Sequence, residues 1–108
     1  MVKVIHIKDA DFSDPATVYI GRAGKGKPGS PLANPYRLTQ EDQRADVLRR
    51  YEFWLWTALT DGTPQMEELQ RLIKLYRQHG KLNLVCFCAP KPCHGDFIKL
   101  AIESGVYE

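Results

Sequence analysis

Hydrophobic and polar positions along the chain change period several times, and each change marks an element. Val2, Val4 and Ile7 alternate loosely with polar residues, so residues 2 to 7 read as a strand. Asp9 to Pro15 is rich in Asp, Ser and Pro and reads as a turn. Thr17-Val18-Tyr19-Ile20 is a second strand of β-branched and aromatic residues. The short connection favours an antiparallel pair, because parallel neighbours need a longer crossover.

From Gly21 to Pro35 the pattern disappears. Four glycines and three prolines fall within this stretch, together with Arg22, Lys25 and Lys27. That composition excludes a regular element and predicts a long loop, a place where function concentrates.

A period near 3.6 then begins. Thr39 fits a helix N-cap, with Glu41 and Asp42 favourable in the first turn. Val47, Leu48, Tyr51, Leu55, Ala58 and Leu59 share one helical stripe, which Phe53, Trp54 and Trp56 widen. These aromatics suit a core; an exposed edge of them would suit a contact between copies. Asp61-Gly62 closes the helix. Thr63 and Pro64 cap the next one, whose buried stripe is Leu69, Leu72, Ile73 and Tyr76, and Gly80 ends it in a left-handed cap. Leu82 to Cys88 is a nearly unbroken apolar run, the mark of a central strand covered on both faces. Phe97, Ile98, Ala101 and Ile102 give a last amphipathic helix, stopped by Gly105.

The order β-β-α-α-β-α predicts a single small α/β domain over residues 1–108. A mixed, mostly three-stranded sheet is expected with helices packed on it, and a Rossmann-like strand-turn-helix at the C-terminus. Length supports one domain, since 108 residues is an ordinary domain size. An apolar fraction of 44% and a charged fraction of 26% argue against disorder. The net charge of +2 predicts no general attraction to nucleic acid or anionic membrane. No apolar run approaches the roughly 20 residues that cross a bilayer, and the N-terminus alternates instead of forming a signal-peptide core. A cytoplasmic protein is therefore expected. Its three cysteines, 86, 88 and 93, crowd into too short a stretch for a secreted disulfide framework.

Two segments carry candidate chemistry. The first is Cys86-Phe-Cys88-Ala-Pro-Lys-Pro-Cys93-His94-Gly95-Asp96. Its prolines stiffen the backbone and place Cys93 and His94 at the start of the last helix, where the dipole favours a thiolate. Cys93 then reads as a nucleophile, His94 as a proton carrier or ligand orienter, and Asp96 as an acid/base group or helix cap. Gly95 permits close approach. A competing reading is a zinc module that meets nucleic acid or protein, with Cys86, Cys88, Cys93 and His94 as a Cys₃His set. Adjacent Cys93 and His94 point apart, and a domain of this size needs no metal, so no cofactor is the favoured expectation.

The second segment is Gly21-Arg22-Ala-Gly-Lys-Gly-Lys27 with Asn34-Pro35-Tyr36. Arg22 directly follows a strand, and its planar fork suits phosphate or carboxylate. Asn34 is held extended before Pro35 and could offer its amide to a base or sugar. The segment lacks the Gly-Lys-Ser/Thr of a Walker loop and the helix of a dinucleotide fingerprint.

Together the segments resemble a family of short, uncharacterised bacterial and bacteriophage domains. The family pattern is Tyr-x-Gly-Arg, then Asn-Pro, then Cys-x-Cys-x-Pro-x-x-Cys-His-Gly-Asp. The matches here are Tyr19, Gly21, Arg22, Asn34, Pro35, Cys86, Cys88, Pro90, Cys93, His94, Gly95 and Asp96. The resemblance spans residues 18 to 102. This chain departs in its longer basic stretch after Arg22, and in Leu32-Ala33, where relatives often carry Trp-Gly. The resemblance implies a site and a bacterial or phage-infected host, but no reaction.

If the strands ending at Ile20 and Cys88 run parallel, both loops leave one sheet edge and can form one pocket. The expectation is then a pocket for a nucleotide or nucleotide-derived phosphorylated ligand, contacted by Tyr19, Gly21, Arg22, Asn34, Pro35, Cys88 and Gly95. Cleavage or transfer of a glycosidic bond is a chemistry such a pocket could carry.

Overall fold

Three strands and three helices follow one another as the sequence pattern predicts. The computed structural model describes residues 1–24 and 26–108; Lys25, one of the expected loop cations, lies outside the described residues. The elements are β1 (Val2–His6), β2 (Thr17–Tyr19), α1 (Arg44–Ala58), α2 (Pro64–His79), β3 (Leu82–Cys86) and α3 (Gly95–Ser104), with short 3₁₀ turns at Ile7–Asp9 and Glu41–Gln43.

β3 is the central strand, in the order β1-β3-β2. Leu84, Val85 and Cys86 are successive and all buried, so both faces of the strand are covered, as its continuous apolar run requires. Both flanking strands run parallel to β3, with Val4 opposite Leu84 on one side and Val18 opposite Leu84 on the other. The expected antiparallel pairing of β1 with β2 therefore does not occur, and the sheet is parallel rather than mixed. The reason is competition for the middle position: β3 has hydrophobic residues on both faces and takes it, so residues 7 to 16 carry the chain past it.

The helices pack where their stripes point. α3 lies on β1 and β3, α2 on β3, and α1 against α2. Their buried residues join one core cluster that includes Val2, Ile20, Leu32, Tyr51, Leu55, Leu69, Leu72, Leu84 and Ile98. Thr63 caps α2 by accepting the Met66 N–H at 3.0 Å, with Pro64 in the first turn. Gly80 and Gly105 end α2 and α3 with φ of 70° and 75°. Thr39 does not cap α1: its hydroxyl reaches Gln43 Oε1, and the helix starts only at Arg44, after the 3₁₀ turn. α1 stops at Ala58, ahead of Asp61-Gly62. Trp54 and Trp56 pack against the core, whereas Phe53 is exposed.

The loop after β2 is anchored at several points. Tyr51 donates to the Leu32 carbonyl at 2.7 Å, and Leu32 itself is fully buried. Ser30 N–H donates to Gly21 O at 2.9 Å, and Gly24 and Lys27 exchange backbone hydrogen bonds. No helix among the described residues is long and apolar enough to cross a membrane.

Candidate functional site

Parallel strands bring their carboxyl ends to one edge. Tyr19 pairs with Val85 and His6 with Cys86, so β1, β2 and β3 all terminate at the same level. The loop leaving β2 and the turn leaving β3 emerge side by side, as a shared pocket requires. Between them lies a cleft of about 350 Å³. Tyr19, Gly21, Arg22, Asn34 and Tyr36 line it from the loop side, and Cys86, Phe87, Cys88, Cys93 and His94 from the turn. Leu38 and the first turns of α1, through Arg44, Val47 and Leu48, complete the wall. Pro35, Gly95 and Asp96 are not part of the lining.

The loop side is shaped by its own tyrosine. The Tyr19 hydroxyl donates to the Arg22 carbonyl at 2.7 Å and folds across Gly21. A Cβ at Gly21 would run into that ring, 2.6 Å from its Cζ, so any side chain there would displace the Tyr19 ring. Asn34 Oδ1 accepts the Tyr36 N–H at 2.8 Å in an Asx turn. Its side-chain NH₂ has no hydrogen-bond partner among the described residues, and neither has the exposed guanidinium of Arg22.

The turn side is different. The His94 ring meets the Ile20 carbonyl through Nε2 at 2.8 Å. A carbonyl only accepts, so Nε2 carries the proton and Nδ1 keeps a lone pair, 3.9 Å from Cys93 Sγ. The ring also sits edge-on to Tyr51, with centroids 5.3 Å apart. Burial holds the imidazole below its ordinary pKa, so it is neutral at physiological pH. Gly95 is buried directly beneath. A Cβ there would lie 2.8 Å from Ile20 Cδ1 and 3.0 Å from Val4 Cγ1, so glycine lets α3 start against the sheet.

Cys93 is buried, and its sulfur accepts the Gly95 N–H at 3.2 Å. The Cys86 sulfur accepts the Ala89 N–H at 3.4 Å. The two thiols interact, and the hydrogen bond between them lowers the pKa of Cys86 and raises that of Cys93, which burial raises further. The helix start was expected to lower the Cys93 pKa. The shift runs the other way because a facing thiol and burial outweigh one backbone N–H. The Asp96 carboxylate accepts the Cys93 N–H at 3.0 Å, bracing the turn from its exposed side. Of the four residues weighed as zinc ligands, Cys86 and Cys93 pair with each other and His94 Nε2 is taken by Ile20. No group of three His, Cys, Asp or Glu among the described residues is arranged to hold a metal ion.

One lining residue had no mark in the sequence. Arg44 bridges three parts of the wall. Its Nη1 donates to the Pro92 carbonyl at 2.8 Å, its Nη2 pairs with Glu41 at 2.8 Å, and it stands beside the Cys88 thiol. Glu41 also receives Lys91 Nζ at 3.0 Å, so the pair ties α1 to the turn. Glu41-x-x-Arg44 reads as an ordinary helical ion pair, and its tie to Pro92 exists only in three dimensions.

Apolar and aromatic walls, with one cation and one amide unpaired among the described residues, suit a flat ring that carries an anionic group. The model of a family described as "Domain of unknown function (DUF4326)" matches residues 4–104. No curated protein and no solved structure matches the chain.

Proposed function

The chain belongs to the DUF4326 family, and from that premise we propose that it binds a nucleotide or nucleotide-derived phosphorylated ligand in the cleft between the Gly21–Tyr36 loop and the Cys86–Asp96 turn. The observation that carries this reading is the pair of unpartnered donors, the Arg22 guanidinium and the Asn34 amide, on an aromatic and apolar cleft at the carboxyl edge of a parallel sheet. Open α/β sheets bind ligands at this edge. Arg22 takes the phosphate through its planar fork. Asn34 donates to an acceptor on the base or sugar. Tyr19, Tyr36 and Phe87 supply ring faces and edges for the base.

Binding without turnover is the reading the side chains favour. A nucleophile at Cys93 would have to ionise a buried thiol whose pKa is raised. Asp96, the candidate acid/base group, lies outside the lining and is engaged with Cys93 N–H. Cytoplasmic sequestration of a signalling nucleotide fits a small chain of this kind.

Mass spectrometry of small molecules released from natively purified protein tests the reading. A phosphorylated, base-containing compound is expected from the wild type, and little of it from Arg22→Ala. Equal recovery from both proteins would overturn the role of Arg22. A Cys93→Ser variant that binds normally, with no turnover by the wild type, supports binding alone, whereas wild-type conversion of a nucleotide that Cys93→Ser abolishes would establish catalysis.

A further inference from the structure

We infer that the cleft selects a nucleoside monophosphate over the corresponding di- and triphosphates. This rests on the nucleotide-binding reading above and narrows it.

The first ground is the supply of positive charge. Two guanidinium groups line the cleft, and only that of Arg22 lacks a partner among the described residues. Arg44 is bound on both sides of its fork, to Glu41 and to the Pro92 carbonyl, so its donors are already committed to the wall. Among the described lining residues, one free cation matches one phosphate.

The second ground is the start of α3, where extra phosphates would otherwise find backbone donors. Those donors are occupied. Gly95 N–H goes to Cys93 Sγ at 3.2 Å, Asp96 N–H to Cys93 O at 3.0 Å, and Phe97 N–H to His94 O at 3.1 Å. The Asp96 carboxylate at the same helix end repels further negative charge. Among the described residues, a β- or γ-phosphate would lose water without gaining an uncommitted counter-charge.

The third ground is size and polarity. About 350 Å³ is near the lower end of the roughly 300–1,000 Å³ typical of ligand clefts. One base, sugar and phosphate match that volume. Leu38, Val47 and Leu48 offer an apolar wall to the base, and Asn34 keeps its NH₂ for a ring nitrogen or carbonyl because its Oδ1 is held by Tyr36 N–H.

Calorimetric titration decides the matter, using the 5′-monophosphates of adenosine, guanosine, cytidine and uridine, their triphosphates and the free nucleosides. For the best-bound base, the monophosphate is expected to bind about tenfold or more tightly than either the triphosphate or the nucleoside. In Arg22→Ala, its affinity is expected to fall to that of the nucleoside, whose own binding does not change. A triphosphate bound as tightly as the monophosphate would overturn the selectivity and leave the broader nucleotide reading standing. Retention of the monophosphate advantage in Arg22→Ala would overturn the assignment of the phosphate to Arg22. No binding by any of these compounds would overturn the monophosphate assignment and, with it, the simple nucleotides of the broader reading.

Discussion

The two segments facing each other across the cleft use their polar groups in opposite ways. In the Cys86–Asp96 turn nearly every conspicuous side chain is engaged inside the protein: His94 on Ile20 O, Cys93 on Gly95 N–H, Asp96 on Cys93 N–H. In the Gly21–Tyr36 loop the backbone is anchored, but the Arg22 guanidinium and Asn34 amide remain available. The comparison teaches that the denser motif builds one wall of the site, while recognition falls to the sparser one. Substitutions in the turn should therefore cost stability, and substitutions at Arg22 should cost affinity.

Gly95→Val should break the turn most severely. Its side chain enters space held by Ile20 and Val4, and overpacking of this kind costs about 3 kcal/mol. A lower denaturation midpoint with an unchanged slope is the expected result. His94→Ala comes next. It removes the bond to Ile20 O and the edge contact with Tyr51, for a loss of about 2 kcal/mol in the same measurement. If His94→Ala were as stable as the wild type yet lost ligand binding, the division between the two segments would fail. Asp96→Ala removes one helix-start hydrogen bond and should cost about 1 kcal/mol.

The thiol pair gives a smaller effect that depends on pH. The folded-state pKa of Cys86 lies below its ordinary value of about 9, so towards that value the unfolded chain binds more protons and stability rises with pH. The folded-state pKa of Cys93 lies above the same ordinary value. Beyond it the folded chain retains the proton that the unfolded chain releases, and stability falls. Denaturation midpoints should therefore pass through a maximum in the mildly alkaline range, and Cys86→Ala should remove the rising limb. The lowered His94 pKa adds a separate loss below its ordinary value of 6.5, where only the unfolded chain takes up the proton readily. Arg22→Ala should show the smallest stability change, within about 0.5 kcal/mol, because an exposed side chain without a partner among the described residues is removed.

Much of this arrangement was legible in the chain, but unevenly. Thr63-Pro64, Gly80 and Gly105 marked helix ends through local backbone chemistry, which sequence carries directly. The apolar run from Leu82 to Cys88 marked the central strand, which ends at Cys86, two residues short of the run. That same reading excluded a β1–β2 pair in a three-stranded sheet, so the expected antiparallel hairpin conflicted with it. The residues that would line the cleft were also visible in outline, because both loops follow strands. What could not be read was which groups would be engaged. The tie from Arg44 to Pro92 spans 48 positions, and the bond from His94 to Ile20 spans 74. The pKa of Cys93 was misjudged because the facing thiol of Cys86 belongs to the packed state and not to the local turn.

The claim that the two segments form one binding cleft is tested most directly by following backbone amide resonances during titration with a nucleoside monophosphate. Shifts confined to Tyr19–Gly24, Asn34–Leu38, Arg44–Leu48 and Phe87–His94, and lost in Arg22→Ala, are the predicted result. Shifts on only one of the two segments, or concentrated on another face of the molecule, would contradict it.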